Sequence, residues 1–569
     1  MKINKIVASA LVLALLLCLG GCNNRGDKPG SSAAEPADEF VIYHGEKALD
    51  SALAAAVRSY EKATGKRVGV KYSESGLLTA VETEKPALYV VDASGDLTGW
   101  LDKGLLGEVA DGLFGSGMNV PQSLMLDSHR GVPLALEGYG YIFDREMLGD
   151  LFGAEDATDL ANDLRDCSYN DFMGFVSAVE TYIAAPSAAT VTVNGSSYTF
   201  AEAKTGRAQM LSGVFALTSE SSRAYEYLMN YALAAKFGDR ATLSAAAEND
   251  ISGTNAAFAA AARALDDLTS HIAGTGGAMG RGEDFVGGDY TYSAAVDAFT
   301  GGFALFYPGS TADAADFKKS SVTFGEQLDI LPMKLPLSDE EITANGVTAE
   351  KLDRSIVIAS RYYLAFNPNA DAAAASAARD FVKWLYTDSA GMAAFSEAFG
   401  GVAFNYSEGM STGDNGLSTP NSGLSTESGS LSTGTSTESS AVSTAGGKAA
   451  AGNEASGTLD SILSTSDSDL STGSGSTSTG GDGMSTNGGS VSTPSGEAAG
   501  GYALSDSLSR ALARYYSSGD WIPDMVSAMP SGWRSDTFGK SLTDYWSKAA
   551  WSDEDRESLV SGWINGWLK

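Results

Sequence analysis

Cysteine and histidine are both scarce in this chain, which has three of each among 569 residues. Cys18 and Cys22 lie near the N-terminus, at the end of an apolar stretch, so Cys167 is the one cysteine in the rest of the chain. A single thiol forms no intramolecular disulfide, and stability must therefore come from burial of an apolar core. The histidines stand far apart in the sequence, without the close spacing of zinc ligands. We therefore expect neither a metal site nor a cofactor.

Basic residues are also few, with 38 against 71 acidic residues and a formal net charge of −33. So acidic a surface argues against nucleic acid or an anionic membrane face as a partner. The chain also lacks the serine-hydrolase elbow, the phosphate-binding loop and the dinucleotide-binding glycine pattern. These absences favour a binding protein over an enzyme. They leave open a glycoside hydrolase, because that chemistry needs only two carboxylates.

Residues 406–500 lack nearly everything that a folded core requires. Between Tyr406 and Tyr502 there is no Trp, Phe, Tyr, His, Cys or Arg, and Lys448 is the only basic residue. A tripeptide of Leu, Met or Val followed by Ser-Thr recurs nine times, mostly at spacings of seven residues or a multiple of seven. One apolar residue in seven, among Gly, Ser and Thr, does not favour a coiled coil, and tandem duplication of the coding sequence explains the repeat more simply. We predict a disordered insertion, since folded-looking sequence resumes at Tyr502.

The N-terminus has the features of an export signal. Lys2 and Lys5 precede a continuous apolar run over residues 6–19, which is too short to span a bilayer comfortably. The run ends in Leu19-Gly-Gly-Cys22, which resembles a bacterial lipobox, in which the cysteine is acylated and the leader is removed. We predict a signal peptide over residues 1–21, lipidation of Cys22, and a flexible tether over residues 22–37. An ordinary signal peptide with an incidental cysteine is the alternative.

Apolar patterning after the tether predicts an α/β lobe. The predicted elements are strands over residues 39–44, 68–72 and 87–92 and a helix over residues 47–64. Gly65 is predicted to end the helix as a left-handed cap. The strand over residues 87–92 is an almost unbroken apolar run, as in the strands of a buried parallel sheet. In such sheets ligands gather at the carboxyl ends of the strands, so the polar residues that follow these strands are predicted to share one rim.

A second group of elements follows residue 131. It comprises two apolar runs flanking Glu137-Gly138, a hairpin over 190–200 with an Asn194-Gly195 turn, helices over 223–236 and 256–271, strands over 303–309 and 328–332, an extended run over 356–367 and a helix over 372–385. This mixture of helices and short apolar strands predicts a second lobe.

Several motifs occur in an order that is more informative than any one of them. They are S-Y-E-K-A-T-G-K-R-V (59–68), G-V-P-L-A-L-E-G-Y-G-Y-I-F-D (131–144), G-G-F-A-L-F-Y-P-G (301–309), R-Y-Y-L-A-F-N-P-N-A (361–370), A-R-D-F-V-K-W-L-Y-T (378–387), and I-P-D-M with P-S-G-W (522–533). The order resembles that of the extracytoplasmic solute-binding proteins of bacterial ABC importers, in the sugar-binding group similar to maltose-binding protein. The resemblance covers nearly all of residues 39–405 and 501–569, and the insertion departs from it.

The resemblance implies a two-lobe α/β fold of the type 2 periplasmic-binding-protein kind, with an interlobe cleft and a long disordered insertion over residues 406–500. Lobe 1 would comprise residues 38–141 and 355–385. Lobe 2 would comprise residues 142–354, 386–405 and 501–569.

The resemblance also implies ligand contacts. Glu137 matches a family position whose carboxylate contacts ligand, with a surface-turn carboxylate as the alternative. Trp533 matches an aromatic platform, with a core residue as the alternative. Of Tyr139 and Tyr141, which alternate with glycines, one is expected to face the cleft and the other the core, and we expect Tyr139 in the cleft. Where maltose-type proteins commonly carry a tryptophan, this chain has Thr311, which puts one stacking platform in doubt.

The strand ends supply the remaining predicted contacts. Sugar recognition requires aromatic faces for the C–H face of the ring and polar groups for its hydroxyls. Asp92 and Asp96 lie at a strand end and are expected either to bind hydroxyls or to cap a helix. Tyr43 and Glu46 are predicted contacts on similar grounds, and Ser310 completes the predicted set.

We therefore expect a lipid-anchored solute-binding protein on the outer face of the bacterial cytoplasmic membrane. It is expected to capture a mono- or oligosaccharide between its lobes and to deliver it to the transmembrane subunits of an ABC importer. We expect a monomer that is not an enzyme, binds no nucleic acid, and contacts the membrane only through its lipid. Two alternatives stay open: a secreted carbohydrate-active enzyme, and a surface interaction protein that acts through the repeat segment.

Overall fold

The structure is a computed structural model that describes residues 38–567, except 408–503 and short gaps at 75, 94–96, 117, 128, 221–222, 248–253, 275–276, 279, 289, 322–326, 505 and 530–531. The predicted signal peptide, Cys22 and the tether lie outside the described residues. So does all of the predicted insertion except residues 406 and 407.

The strands of the described residues are short. They are β1 (Phe40–His44), β2 (Val68–Tyr72), β3 (Leu88–Asp92), β4 (Val132–Pro133), β5 (Glu137–Asp144), β6 (Thr190–Val193), β7 (Ser196–Thr199), β8 (Gly213–Phe215), β9 (Ala273–Gly274), β10 (Gly277–Ala278), β11 (Ala304–Ser310), β12 (Leu328–Leu331), β13 (Ile356–Ala359), β14 (Tyr362–Phe366) and β15 (Trp521–Pro523).

Helices separate most of these strands. They are α1 (Asp50–Thr64), α2 (Leu77–Glu84), α3 (Thr98–Asp102), α4 (Arg145–Phe152), α5 (Thr158–Asp166), α6 (Tyr169–Ala184), α7 (Arg223–Phe237), α8 (Arg240–Ala247), α9 (Asn255–Thr269), α10 (Glu283–Gly287), α11 (Tyr292–Thr300), α12 (Ala314–Ser320), α13 (Ala349–Arg354), α14 (Ala372–Thr387), α15 (Ser389–Phe399), α16 (Ser507–Ser518), α17 (Lys540–Trp546) and α18 (Asp553–Trp567).

The first lobe is built on a sheet with the strand order β2-β1-β3-β14-β4. Strand β1 is parallel to β2 and β3, whereas β14 is antiparallel to β3 and β4. Helices α1, α14 and α15 pack together on the sheet and bury an aromatic core that includes Tyr60, Phe381 and Trp384. Because β1, β2 and β3 are parallel, their carboxyl ends lie at one edge, as the sequence predicts.

The second lobe is built on a sheet with the order β15-β13-β5-β11-β8, in which β12 also pairs with β5. Strand β5 is antiparallel to β11, β12 and β13. Its side chains alternate between two cores, with Phe143 in one and Ile142 in the other, so both faces of the sheet are covered. The two sheets with their helices form the two-lobe α/β fold that the motif order implies.

Within the described residues the chain passes between the lobes at three places, and these lie at other positions than the predicted boundaries. Residues 134–136 join β4 to β5, and residues 360–361 join β13 to β14. The third passage lies between α15 and α16. The predicted boundary after residue 141 falls inside β5, all of which belongs to the second sheet, and β13 belongs there as well. Helix α15 and Phe404 pack in the first core, so residues 386–404 group with the first lobe.

Local predictions from turn chemistry are confirmed. Gly65 caps α1 at φ 72°, in the left-handed region that glycine adopts without steric cost. Asn194 (φ 49°) and Gly195 (φ 82°) form the tight turn between β6 and β7.

The described ends of the predicted insertion lie in the same part of the fold. Tyr406 and Leu504 each pack against cores of both lobes. Tyr406 and Leu504, on either side of residues 408–503, therefore lie beside the third passage between the lobes.

Candidate functional site

Polar side chains from both lobes meet where β13 passes into β14. Glu137 begins β5 and pairs with Ala359, the last residue of β13. Arg361 lies between β13 and β14, and Asp92 at the end of β3 pairs with the first residue of β14. Glu46 follows β1 at the same edge of the first sheet, and Ser310 ends β11 beside β5. We call Glu46, Asp92, Glu137, Ser310 and Arg361 the crossing site.

The Glu137 carboxylate is held through one oxygen atom. The Tyr139 hydroxyl donates to Oε2 at 2.7 Å, and the Ser310 hydroxyl donates to the same atom at 3.1 Å. Among the described residues, Oε1 has no hydrogen-bond partner, and the side chain is partly exposed. Since a carboxylate only accepts hydrogen bonds, Oε1 is an oriented acceptor for a ligand hydroxyl or N–H group.

The turn after β11 fixes the position of Ser310. Its Oγ accepts the N–H of Ala312 at 3.1 Å, and its own N–H donates to Asp313 Oδ2 at 3.0 Å, which completes a capping box. Thr311 is buried, and its Oγ1 accepts the Gly138 N–H at 3.0 Å. Thr311 thus connects the turn to β5. It offers no stacking surface at the position where maltose-type proteins commonly carry a tryptophan.

A second carboxyl group, that of Asp313, is connected to Glu137 through Ser310. The Tyr292 hydroxyl is 3.1 Å from Asp313 Oδ1 and 2.9 Å from Asp316 Oδ2. Burial raises the pKa of Asp313 to about 6, opposed by the hydrogen bonds from Ser310 and Tyr292 and reinforced by the charges of Glu137 and Asp316. The capping carboxylate therefore titrates close to neutral pH.

Two carboxylates of the first lobe lie beside one cation, Arg361, in the passage between β13 and β14. Arg361 Nε and Nη2 lie 3.2 Å and 3.1 Å from Asp92 Oδ2, and Nη2 lies 3.9 Å from Glu46 Oε2. The guanidinium also lies 4.9 Å from the centre of the Tyr362 ring. Burial raises the pKa of Tyr362, Arg361 lowers it, and the charges of Asp92, Glu46 and Glu137 raise it further. Charges from both lobes therefore act on the hydroxyl of Tyr362.

Helix α7 supports the site from the second lobe. The Tyr227 ring stacks on Tyr139 with centroids 3.6 Å apart, and Tyr139 is only 2% exposed. Asn230, one turn further along α7, accepts the N–H groups of Met525 and Val526 through Oδ1. Tyr139 therefore presents no open ring face to a ligand, and its hydroxyl positions Glu137.

Two predicted contact residues are not seen at the crossing site. Tyr43 forms its hydrogen bonds elsewhere, and Asp96 lies outside the described residues. The Tyr43 hydroxyl donates to Glu84 at 2.5 Å and accepts from Lys71 at 3.2 Å, within the first lobe. Tyr141 stacks on Phe172 at 5.2 Å and is buried in the same core as Tyr139, so the structure does not divide the two tyrosines between cleft and core.

Trp533 requires a correction, because the structure buries it away from the crossing site. It is 2% exposed, its Nε1 donates to the Trp563 carbonyl at 3.0 Å, and its ring stacks on Phe538. A ring with both faces packed cannot stack on a solute in this conformation. The motif P-S-G-W carried the residue type but no information on burial.

Sequence reasoning missed three residues of the site and its support. Arg361 stood in a quoted motif without a role, although a cation directly before an apolar strand was a usable signal. Asp313 had a usable signal as well, because Ser310 and Asp313 have the spacing of a capping box. Tyr227 gave no such signal, since it acts through Tyr139, which is distant in sequence.

The described residues contain no group of three or more His, Cys, Asp or Glu side chains that could hold a metal ion. No helix within them is both long and apolar enough to cross a membrane. The crossing site therefore offers hydrogen bonds and charge, from carboxylates on two lobes and one guanidinium, to a polar ligand.

A family model described as bacterial extracellular solute-binding protein matches residues 55–410. Among solved structures, a family 1 extracellular solute-binding protein from Bifidobacterium longum subsp. infantis is 14% identical, with a TM-score of 0.41, over 64% of this chain and 81% of that one. The apo form of RafE from Streptococcus pneumoniae is 12% identical, with a TM-score of 0.43, over 65% and 82%. Maltodextrin-binding protein MalE1 from L. casei BL23 is 13% identical, with a TM-score of 0.39, over 63% and 77%. No curated protein sequence matches the chain significantly.

Proposed function

The chain belongs to the bacterial extracellular solute-binding proteins, and on that premise we propose that it captures a carbohydrate at the crossing site. Members of this family bind solutes outside the cytoplasm and are not enzymes, which agrees with the lack of catalytic motifs in the sequence. The proposal adds the class of solute and the residues that contact it.

The single observation that carries the proposal is the Glu137 carboxylate, held through Oε2 by Tyr139 and Ser310 and open at Oε1. Every sugar hydroxyl can donate one hydrogen bond and accept others. A ring between the lobes can therefore donate to Glu137 on one side and accept from Arg361 on the other. Donor-rich, uncharged solutes suit such a site.

Charge supports a neutral solute over an acidic one. The crossing site has three carboxylates, from Glu46, Asp92 and Glu137, against the one guanidinium of Arg361. An additional carboxylate on the solute would meet net repulsion in a partly desolvated space. We therefore propose a neutral mono- or oligosaccharide rather than a uronate or sialic acid.

A solute that contacts both lobes stabilises the closed arrangement by its differential affinity for it. We propose that the first lobe comprises residues 38–134 and 362–404, and the second residues 137–359 and 507–567. We also propose that acylated Cys22 anchors the monomer to the membrane and that the closed form delivers its solute to an ABC importer permease. The lipobox-like leader and the family membership support this assignment.

Calorimetry tests the solute class directly. The panel is neutral mono- and oligosaccharides, with glucuronate and free amino acids as comparison. We expect at least one neutral sugar to bind saturably, to be recovered unchanged, and to raise the melting temperature through linkage. Binding of amino acids alone would overturn the carbohydrate proposal, and binding of acidic sugars alone would overturn the proposal that the solute is neutral. Product that accumulates with time would overturn the assignment as a binding protein.

A further inference from the structure

A side chain far in sequence from the three passages also joins the lobes. Arg240 begins α8 of the second lobe, and its guanidinium reaches the first lobe. Its Nη1 donates to the Met125 carbonyl at 2.7 Å, and its Nη2 donates to the Leu126 carbonyl at 3.1 Å. A planar guanidinium can satisfy two carbonyl groups at once in a fixed geometry, which a lysine cannot do.

The donor side of this contact is held rigidly by the second lobe. Helix α7 ends at Gly238, whose φ of 79° turns the chain sharply. Asp239 then caps α8 by accepting the Thr242 N–H at 2.8 Å. Arg240 is therefore fixed at the corner between two helices, and its side chain crosses from there to the other lobe.

The acceptor side is equally constrained. The Leu126 N–H donates to the Arg130 carbonyl at 2.9 Å, and the Met125 N–H donates to the Gln122 carbonyl at 3.2 Å. Met125 and Leu126 are both buried in the cores of the first lobe. Met125 and Leu126 are thus held in the first lobe, although the neighbouring Leu124 packs in a core of the second lobe. A relative movement of the lobes is therefore expected to lengthen or break these two hydrogen bonds.

Arg240 and one residue of the crossing site, Glu137, both influence the pKa of Tyr363. Burial raises the pKa of Tyr363 to about 12, while Arg240 lowers it and the charges of Asp524 and Glu137 raise it. The charges of Arg240 and Glu137 thus act on the same hydroxyl at the interface between the lobes.

We propose that Arg240 is a brace that restrains separation of the lobes and thereby sets the affinity for solute. A protein whose binding-competent arrangement is only partly populated binds more weakly by that fraction. The proposal takes the arrangement described here as the binding-competent one, so loss of the brace lowers its population and weakens binding to the same degree. The proposal does not depend on whether the solute is a carbohydrate.

Distances between spin labels on the two lobes test the brace without any solute. Labels are attached through Lys62→Cys on α1 and Ser177→Cys on α6, which are both exposed. Cys167 is 1% exposed and escapes labelling, and Cys18→Ser and Cys22→Ser remove the other thiols from the full chain. The variants compared are Arg240→Gln, Arg240→Lys and the control Arg263→Gln. Arg263 is an exposed residue of α9 whose one ion pair, with Asp267, is 3.9 Å long.

Arg240→Gln is expected to shift the distribution to longer distances, and Arg240→Lys to shift it partway. Arg263→Gln, which removes the same charge from the same lobe, is expected to match the wild type. Arg240→Lys keeps the test decisive if Arg240→Gln does not fold. Distributions for both Arg240 variants that coincide with the wild type would overturn the proposal, whatever the calorimetric panel shows about solute.

Discussion

Glu137→Gln is expected to weaken solute binding by about 1–3 kcal/mol, the cost of leaving a buried polar group badly matched. The change replaces one of the two carboxylate oxygens with an NH2 donor, so either the position that faces the solute or the one that accepts from Tyr139 and Ser310 loses its acceptor. Calorimetry with the solute found in the panel measures the loss. Glu350→Gln, on a glutamate whose side chain is 80% exposed, is the control and should bind like the wild type.

Tyr139→Phe is the second arm of this prediction. The variant keeps the ring stacked on Tyr227 and removes only the hydroxyl that donates to Glu137. In the Glu137→Gln background it should add less than it does alone, because the two residues act through one contact. Full additivity, or wild-type binding by Glu137→Gln itself, would count against the crossing site.

Trp533→Ala is expected to destabilise the fold by roughly 3–5 kcal/mol, as for a large aromatic residue removed from a packed core. The folded fraction should bind solute like the wild type, since the ring lies among Phe538, Trp563 and Trp567. Chemical denaturation and calorimetry separate the two effects. Unchanged stability with lost binding would restore the platform that the sequence predicted.

Asp313→Asn is expected to alter the dependence of stability on pH. The pKa of Asp313 is about 6 in the folded protein and about 3.9 in the unfolded chain, so the folded state binds more protons between these values. Its contribution to stability is therefore present at pH 4 and is lost as the pH rises through 6. Relative to the wild type, Asp313→Asn should gain stability across this window. Denaturation midpoints at pH 4.5 and 7.5 measure the difference, and a constant offset would contradict it.

At the residue scale, the sequence predicted which side chains have suitable chemistry for a sugar site better than it predicted which of them are buried. Glu137 and Ser310 were named as contacts, and the structure adds that one positions the other. Trp533 and Tyr43 have the right side chains for a sugar site but lie in packed or paired positions, which only the assembled fold determines. Arg361 was overlooked because its partners Asp92 and Glu46 lie roughly 300 residues away in the chain.

At the scale of elements, strands and helices follow from local pattern, whereas lobe membership does not. Strands β1, β2 and β3 and helix α1 lie within a few residues of the sequence prediction, because apolar periodicity and Gly65 determine them locally. Membership in a sheet depends on pairing between distant strands. The prediction therefore divided β5 between lobes, and it placed α15 in the wrong one.

Gly140→Ala is expected to destabilise the second sheet by about 1–3 kcal/mol, as overpacking does. A Cβ at this position would lie 2.2 Å from the Leu331 carbonyl oxygen, where β5 meets β12. Gly174→Ala is the control, because a Cβ there meets nothing within 4 Å on an exposed face of α6. The control should gain up to about 1 kcal/mol from helix propensity. Equal midpoints for the two variants in urea would contradict this account of β5.

At the scale of the whole molecule, residues 407–500 are expected to be dispensable. Replacing them with a few Gly and Ser residues should leave the melting temperature unchanged or slightly raised, since a shorter loop costs less entropy to close. Tyr406 and Leu504 pack against the same cores, which brings the two ends together. Calorimetric melting and solute binding measure the outcome, and proteases should cut the intact chain first within this segment. A variant that fails to fold would show that the repeat contributes structure.

The lone cysteine of the folded chain allows the unfolding of one lobe to be measured separately from that of the other. Cys167 lies in the second lobe, 1% exposed, and burial raises the pKa of its thiol to about 11. Alkylating reagents attack the thiolate, so they reach this sulfur only after the surrounding helices come apart. The first lobe has no thiol at all. The rate of alkylation of Cys167 therefore reports how fast the second lobe unfolds locally. Comparing this rate with the rate of global unfolding shows which lobe unfolds first.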